Sequence, residues 1–117
     1  MNRKKEGVTG EQTVCEYISA QGMRVVQRNF SCRGGEIDIV ARDKGTLVFI
    51  EVKSRESEAF GFGAEAVTRT KRRRIVQAAK LFMLIHKAPE MDVRFDVAVV
   101  TRGEVEYIKD AFTTADL

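Results

Sequence analysis

The chain has 117 residues, 44% hydrophobic and 32% charged, a balance that suits a folded globular protein and excludes a disordered one. The formal net charge is only +3 and the sequence pI is near 9.0, a mild lean towards polyanions concentrated in Lys71-Arg72-Arg73-Arg74. No run of about 18 apolar residues is present, which excludes a transmembrane helix.

The length suits one domain over residues 1–117. Cys15 and Cys32 have no metal-ligand spacing and are too few for a disulfide framework, as in a reducing, cytoplasmic setting. Residues 1–7, MNRKKEG, read as a flexible basic start, and no apolar run follows to make a signal peptide. Thr9 with Gln12 is a capping-box signal and Gly22 a stop, so a first helix is expected over residues 10–21. Its apolar stripe is Val14, Cys15 and Ile18. Glu11 precedes these at helical spacing and so points inward with them, an odd place for a carboxylate.

MRVVQRNF reads as a first strand, ended by Gly34-Gly35. Two alternating runs, residues 36–42 and 47–53, follow as a hairpin. The polar, glycine-containing stretch SRESEAFGFGAEAVT reads as a loop. A long helix is expected from Thr68 or Thr70 to about Lys87, before Pro89, with the stripe Ile75, Ala78, Ala79, Phe82 and either Ile85 or His86. Lys71 lies one turn before Ile75 on that stripe. VRFDVAVV and VEYIKD give two last strands, joined through Arg102-Gly103. The order αβββαββ implies an α/β fold with a mixed sheet flanked by helices.

The hairpin carries an unusual charge load: Glu36 and Asp38 on one strand, Glu51 and Lys53 on the next. Alternation puts each pair on one face. A two-residue turn at Lys44-Gly45, or a four-residue loop over 43–46, would set Asp38 against Glu51 and Glu36 against Lys53, whereas a three-residue loop would not. Opposed carboxylates repel unless a cation or a shared proton stands between them. An all-oxygen site favours Mg²⁺, with Mn²⁺ as substitute. The other face, Val48, Ile50 and Val52, should pack on the helices, leaving the hairpin buried on one side and charged on the other. The competing reading is a solvated face with cross-strand salt bridges. Glu11 and Lys71, arriving inward from two separate helices, favour a site.

Asp38 followed by Glu51-Val52-Lys53 at the end of an apolar strand resembles the PD-(D/E)xK nuclease signature of restriction-endonuclease-like proteins. The wider series, GE near the start of the first helix, RNF, GEIDIVARD, VFIEVKSR, FG, RFDVAVV and DAF, resembles the YraN family, which is related to archaeal Holliday-junction resolvases. The likeness runs from Gly10 to Phe112. It implies a restriction-endonuclease-like αβββαβ core and metal-dependent cleavage of phosphodiester bonds in DNA, with a branched or structured substrate. By motif, Asp38, Glu51, Lys53 and Glu11 would be catalytic. Asp38, Glu51 and the Val52 backbone carbonyl would hold the metal. Lys53 would position the attacking water and offset charge on the phosphorane, and Glu11 would reach the metal directly or through water. The signature's proline is replaced by Ile37, which leaves Glu36 as either an extra ligand or a salt-bridge partner. A homodimer is implied by analogy with resolvases, which cut two strands.

Arg55 continues the charged face of its strand and is expected to contact phosphate. Lys71, Arg72 and Arg73, with Arg74, would either hold phosphates or form a solvated helix surface. Phe60, Phe62 and Tyr107 read as packing residues ahead of base-stacking ones, and Arg94 with Asp96 as a structural ion pair. The main expectation is a nucleic-acid-binding, Mg²⁺-dependent endonuclease. A non-catalytic nucleic-acid-binding or accessory module on the same fold is the alternative, and an adaptor that meets an acidic protein through its basic helix is a weaker third.

Overall fold

A computed structural model describes residues 3–55, 67–88 and 90–114, with side chains from residue 10 onward. Helix α1 spans Arg3–Ala20, and strands β1 (Arg24–Cys32), β2 (Gly35–Asp43) and β3 (Thr46–Arg55) follow. Helix α2 (Arg69–Ile85) leads to β4 (Asp92–Thr101) and β5 (Glu104–Phe112). The strands form one sheet in sequence order, β1-β2-β3-β4-β5. All neighbours are antiparallel except β3 and β4, which run parallel. That pair is the one joined through a helix, because parallel strands need a crossover. This mixed sheet with helices on it is the restriction-endonuclease-like architecture implied by the sequence resemblance. Phe60, Phe62 and most of the connection after β3 lie outside the described residues, as does Pro89. Among the described residues no helix is long and apolar enough to cross a membrane.

Two cores sandwich the sheet. On the α1 side Val14, Cys15 and Ile18 pack on Ile39, Ala41, Val48, Ile50, Ala98 and Val100. On the α2 side Ile75, Ala78, Ala79 and Phe82 pack on Val40, Leu47, Phe49, Phe95 and Val97. Phe82 meets Phe49 edge-on at 5.9 Å, and His86, exposed like Ile85, lies with its ring 4.1 Å from that of Phe82. The Thr68 hydroxyl caps α2 by accepting the Lys71 N–H at 3.2 Å, a contact worth about 1 kcal/mol.

Three expectations change. Helix α1 begins at Arg3, so the backbone of residues 3–7 is helical rather than loose and Thr9 lies within the helix. The charged side of the hairpin is not an open face. Leu47 and Phe49 share it with Glu51 and are core residues under α2, so the acid continues a buried stripe. Finally, alternation fails at Asp38: Ile37 joins the α2 core whereas Ile39 joins the α1 core. The strand turns over between them. Opposite Asp38 on β1, between the pairs Arg28–Ile39 and Phe30–Ile37, Asn29 adopts a left-handed φ of 56°, which few residues other than asparagine take readily.

Candidate functional site

The hairpin register is the one expected, with Asp43 opposite Thr46 and Ile39 opposite Ile50. Lys44 takes a left-handed φ of 58° at the turn. Beyond Ile39–Ile50 the β2–β3 ladder stops. β2 stays with β1 as far as Gly35, and β3 stays with β4 as far as Arg55. The sheet therefore forks where Asp38 and Glu51 face each other. At the fork a side chain replaces the missing ladder bond: the Val52 N–H donates to Asp38 Oδ2 at 2.8 Å.

Asp38 is half-buried and Glu51 is only 5% exposed. Burial, then the Glu51 carboxylate, raise the Asp38 pKa to about 7, against the opposing pull of the Val52 N–H. The Glu51 carboxylate lies close enough to act on Asp38, and two negative charges there repel each other. Lys71 reaches in from α2, with Nζ 2.8 Å from Glu51 Oε2. Its pKa is raised by that hydrogen bond and by the Glu51, Asp38 and Glu36 charges, against burial, which lowers it.

Glu11 comes from α1 at the edge of this group, and its carboxylate adds to the field on Asp38. It accepts from Asn29 Nδ2 at 3.1 Å and pairs with Arg28 at 3.4 Å. Helix α1 approaches closely here because residue 10 is glycine: a Cβ on Gly10 would sit 2.5 Å from Ser54 Oγ. Sequence reading missed Asn29 as the residue that holds Glu11. Its signal is a poor strand former inside the β-rich run of RNF.

Lys53 follows Glu51 by two residues, opposite Val99 of β4, and forms no ion pair among the described residues. Glu36 lies beyond the fork, exposed and opposite Ser31 of β1 rather than in a ladder with Lys53. Arg55 closes β3 opposite Thr101. The basic run of α2 disperses: Lys71 turns to the acids, and Arg72 donates to the Val67 carbonyl at 2.9 Å and lies 5.4 Å over the Phe112 ring. Arg73 is exposed.

Among the described residues no group of three or more His, Cys, Asp or Glu side chains is placed to hold a metal ion. The donors at the fork are the Asp38 and Glu51 carboxylates, with the Lys71 ammonium on Glu51. That set fits Mg²⁺, which keeps several waters and takes one or two protein carboxylates. It does not fit zinc, for which nitrogen or sulfur donors would be expected.

The other strongly charged cluster is structural. Asp96 is fully buried on the α1 side. It accepts from Arg94 Nε and Nη2, both at 3.0 Å, from the Asp110 N–H at 2.8 Å and from the Tyr107 hydroxyl. Arg94 also pairs with Asp43 at 2.9 Å. The expected ion pair is present, and Tyr107 is a packing residue whose ring stacks on Tyr17 at 5.7 Å.

A family model matches residues 10–100, from the glycine under α1 to the end of the β4 core. The chain belongs to the uncharacterised protein family UPF0102. A UPF0102 protein of Lachnoclostridium phytofermentans is 49% identical over 113 residues, covering 96% of each chain. The UPF0102 protein YraN of Escherichia coli is 40% identical over 114 residues, covering 96% of this chain and 87% of its own length. One from Caldicellulosiruptor saccharolyticus is 38% identical over 118 residues, covering 96% of this chain and 100% of its own. Within this UPF0102 chain, the matched span holds every residue of the fork: Glu11, Glu36, Asp38, Glu51, Lys53 and Lys71.

Proposed function

We propose that this chain is a divalent-metal-dependent endonuclease that hydrolyses phosphodiester bonds in DNA, with a branched or structured substrate. The observation that carries the reading is the pair Asp38–Glu51, two carboxyls driven together at the fork of the sheet with a lysine two residues further along. A hairpin has no folding reason to oppose two acids in a half-buried place, and the arrangement costs stability unless a cation resolves it.

Asp38 and Glu51 would hold the ion, with the Val52 carbonyl as a further donor. A divalent ion held there would supply Lewis acidity to the phosphate and make the attacking water easier to deprotonate. The Val52 N–H holds Asp38 in place by taking one of its oxygens. Lys53 places an ammonium on the same strand as Glu51, where it can orient the attacking water and offset charge on the phosphorane. Glu11, steadied by Asn29 and Arg28, borders the site from α1. A cytoplasmic setting and a symmetric dimer go with this reading, since cutting two strands of a junction calls for two sites.

One observation favours the second reading, a nucleic-acid-binding module that does not cut. Lys71 already neutralises Glu51, so the acids can persist without a metal.

The deciding experiment is cleavage of a four-way DNA junction and of linear duplexes of the same sequence, with and without Mg²⁺. Metal-dependent cutting of the junction, reduced by about 10²-fold or more in Glu51→Gln and Lys53→Ala, supports the endonuclease. Cutting that both variants retain would come from another protein and would count against it. Junction binding without cutting would support the module.

A further inference from the structure

On the α2 side a groove of about 810 Å³ runs between the β1–β2 turn and the start of α2. Arg33, Gly34, Gly35 and Glu36 line one wall, Lys71 and Arg74 the other. Neither Asp38 nor Glu51 lines it, but Lys71 on its wall is the residue bound to Glu51, so the groove lies beside the acid pair. Gly35 brings the two walls this close. A Cβ there would sit 2.5 Å from the Arg74 carbonyl oxygen, a backbone atom that cannot swing aside. Arg33 and Arg74 are both exposed, and among the described residues neither has a carboxylate partner. Two arginines thus stand on the walls of a half-enclosed groove, with Glu36 the carboxylate between them and Lys71 beside it.

We propose that this groove holds one polynucleotide strand by its phosphates, through Arg33 and Arg74, and leads that strand to Asp38 and Glu51. A guanidinium meets a phosphate with two parallel donors, so arginine suits this role better than lysine. A groove of about 810 Å³ takes a few nucleotides of one strand and is too small to enclose a duplex. Of the residues expected to bind nucleic acid, Arg72 is turned to Val67 and Phe112. The phosphate track therefore uses Arg74, and it adds Arg33 from a turn where no basic run drew notice. The delivery step rests on the endonuclease reading of the acid pair; strand binding does not.

The test is fluorescence anisotropy with a labelled oligothymidylate of about 15 nucleotides, within the span that one groove can track. Divalent ions are chelated throughout, so an inactive nuclease can still bind and an active one can still fail. Arg33→Ala/Arg74→Ala should weaken binding at least tenfold. It should also reduce the slope of log K against log salt by about 0.7 for each phosphate no longer neutralised. Lys44→Ala/Lys109→Ala removes the same charge elsewhere on the surface and should bind as wild type does. Equal weakening in the two double variants, preference for a blunt duplex of the same length, or equal displacement of the strand by poly-glutamate would each overturn the proposal.

Discussion

The Lys71 ammonium lies 2.8 Å from the Glu51 carboxylate, joining a base that is 46% exposed to an acid that is 5% exposed. Among the described residues it is the ammonium paired with the fork's acids, and without a divalent ion it offsets their repulsion. Lys71→Met should destabilise the metal-free chain by about 1 kcal/mol, since half the pair is screened by water. Mg²⁺ should restore most of that stability. Urea midpoints of both proteins, with Mg²⁺ and with a chelator, read the effect. Equal Mg²⁺ responses would mean that the ion and Lys71 do not compete for the same charge.

The Asp38 proton gives the site a pH signature. Its pKa rises from 3.8 to about 7, so between those values the folded chain holds a proton that the unfolded chain has released. The contribution of this carboxyl to stability is therefore fully present below about 3.8 and is lost as pH rises through about 7. Asp38→Asn keeps an oxygen for the Val52 N–H and cannot ionise. Its stability relative to wild type should climb from pH 4.5 to pH 8 in urea titrations without metal. A difference that is flat over that range would contradict the shift.

The register of the hairpin was legible because the short turn at Lys44-Gly45 and the apolar run Leu47–Ile50 permit few pairings. Helix α2 was legible from its stripe and its Thr68 cap. The fork was not. Period-two alternation assumes a regular strand, and β2 turns over at Asp38, opposite a left-handed Asn29 that reads in sequence as one more polar residue. The groove was hidden for a different reason. Arg33 and Arg74 are 41 positions apart in the chain, and only the close approach of turn and helix at Gly35 brings them together. The Asp96 cluster was half visible: Arg94 two residues away was, whereas Asp43 and Tyr107 come from other strands.

Asp96 and Arg94 support the sheet from the face opposite the α2 groove. Asp96→Ala leaves the Arg94 guanidinium, 12% exposed, and the Tyr107 hydroxyl without their shared partner. A loss of about 3–5 kcal/mol is expected on removing one side of so buried a pair, read as a fall in the urea midpoint. Tyr107→Phe should cost about 1–2 kcal/mol. A loss under 1 kcal/mol for Asp96→Ala would show that the cluster is not structural.

Gly10 and Ser54 test the seat of α1, which carries Glu11. Gly10→Ala drives a Cβ to 2.5 Å from the Ser54 hydroxyl and should cost about 1–2 kcal/mol. Because the clash is with one side-chain oxygen, Ser54→Ala in the same chain should recover most of it. The readout is the coupling energy of the double-mutant cycle. Purely additive effects would place the strain elsewhere.

The most direct measurement is a Mn²⁺ titration followed by electron paramagnetic resonance on wild type, Asp38→Asn and Glu51→Gln at pH 8. If these two acids hold one ion between them, wild type takes up one Mn²⁺ per chain, Mg²⁺ displaces it, and either substitution abolishes the uptake. Binding that survives both substitutions, or no uptake by wild type at millimolar Mn²⁺, would remove the metal centre from which the endonuclease follows.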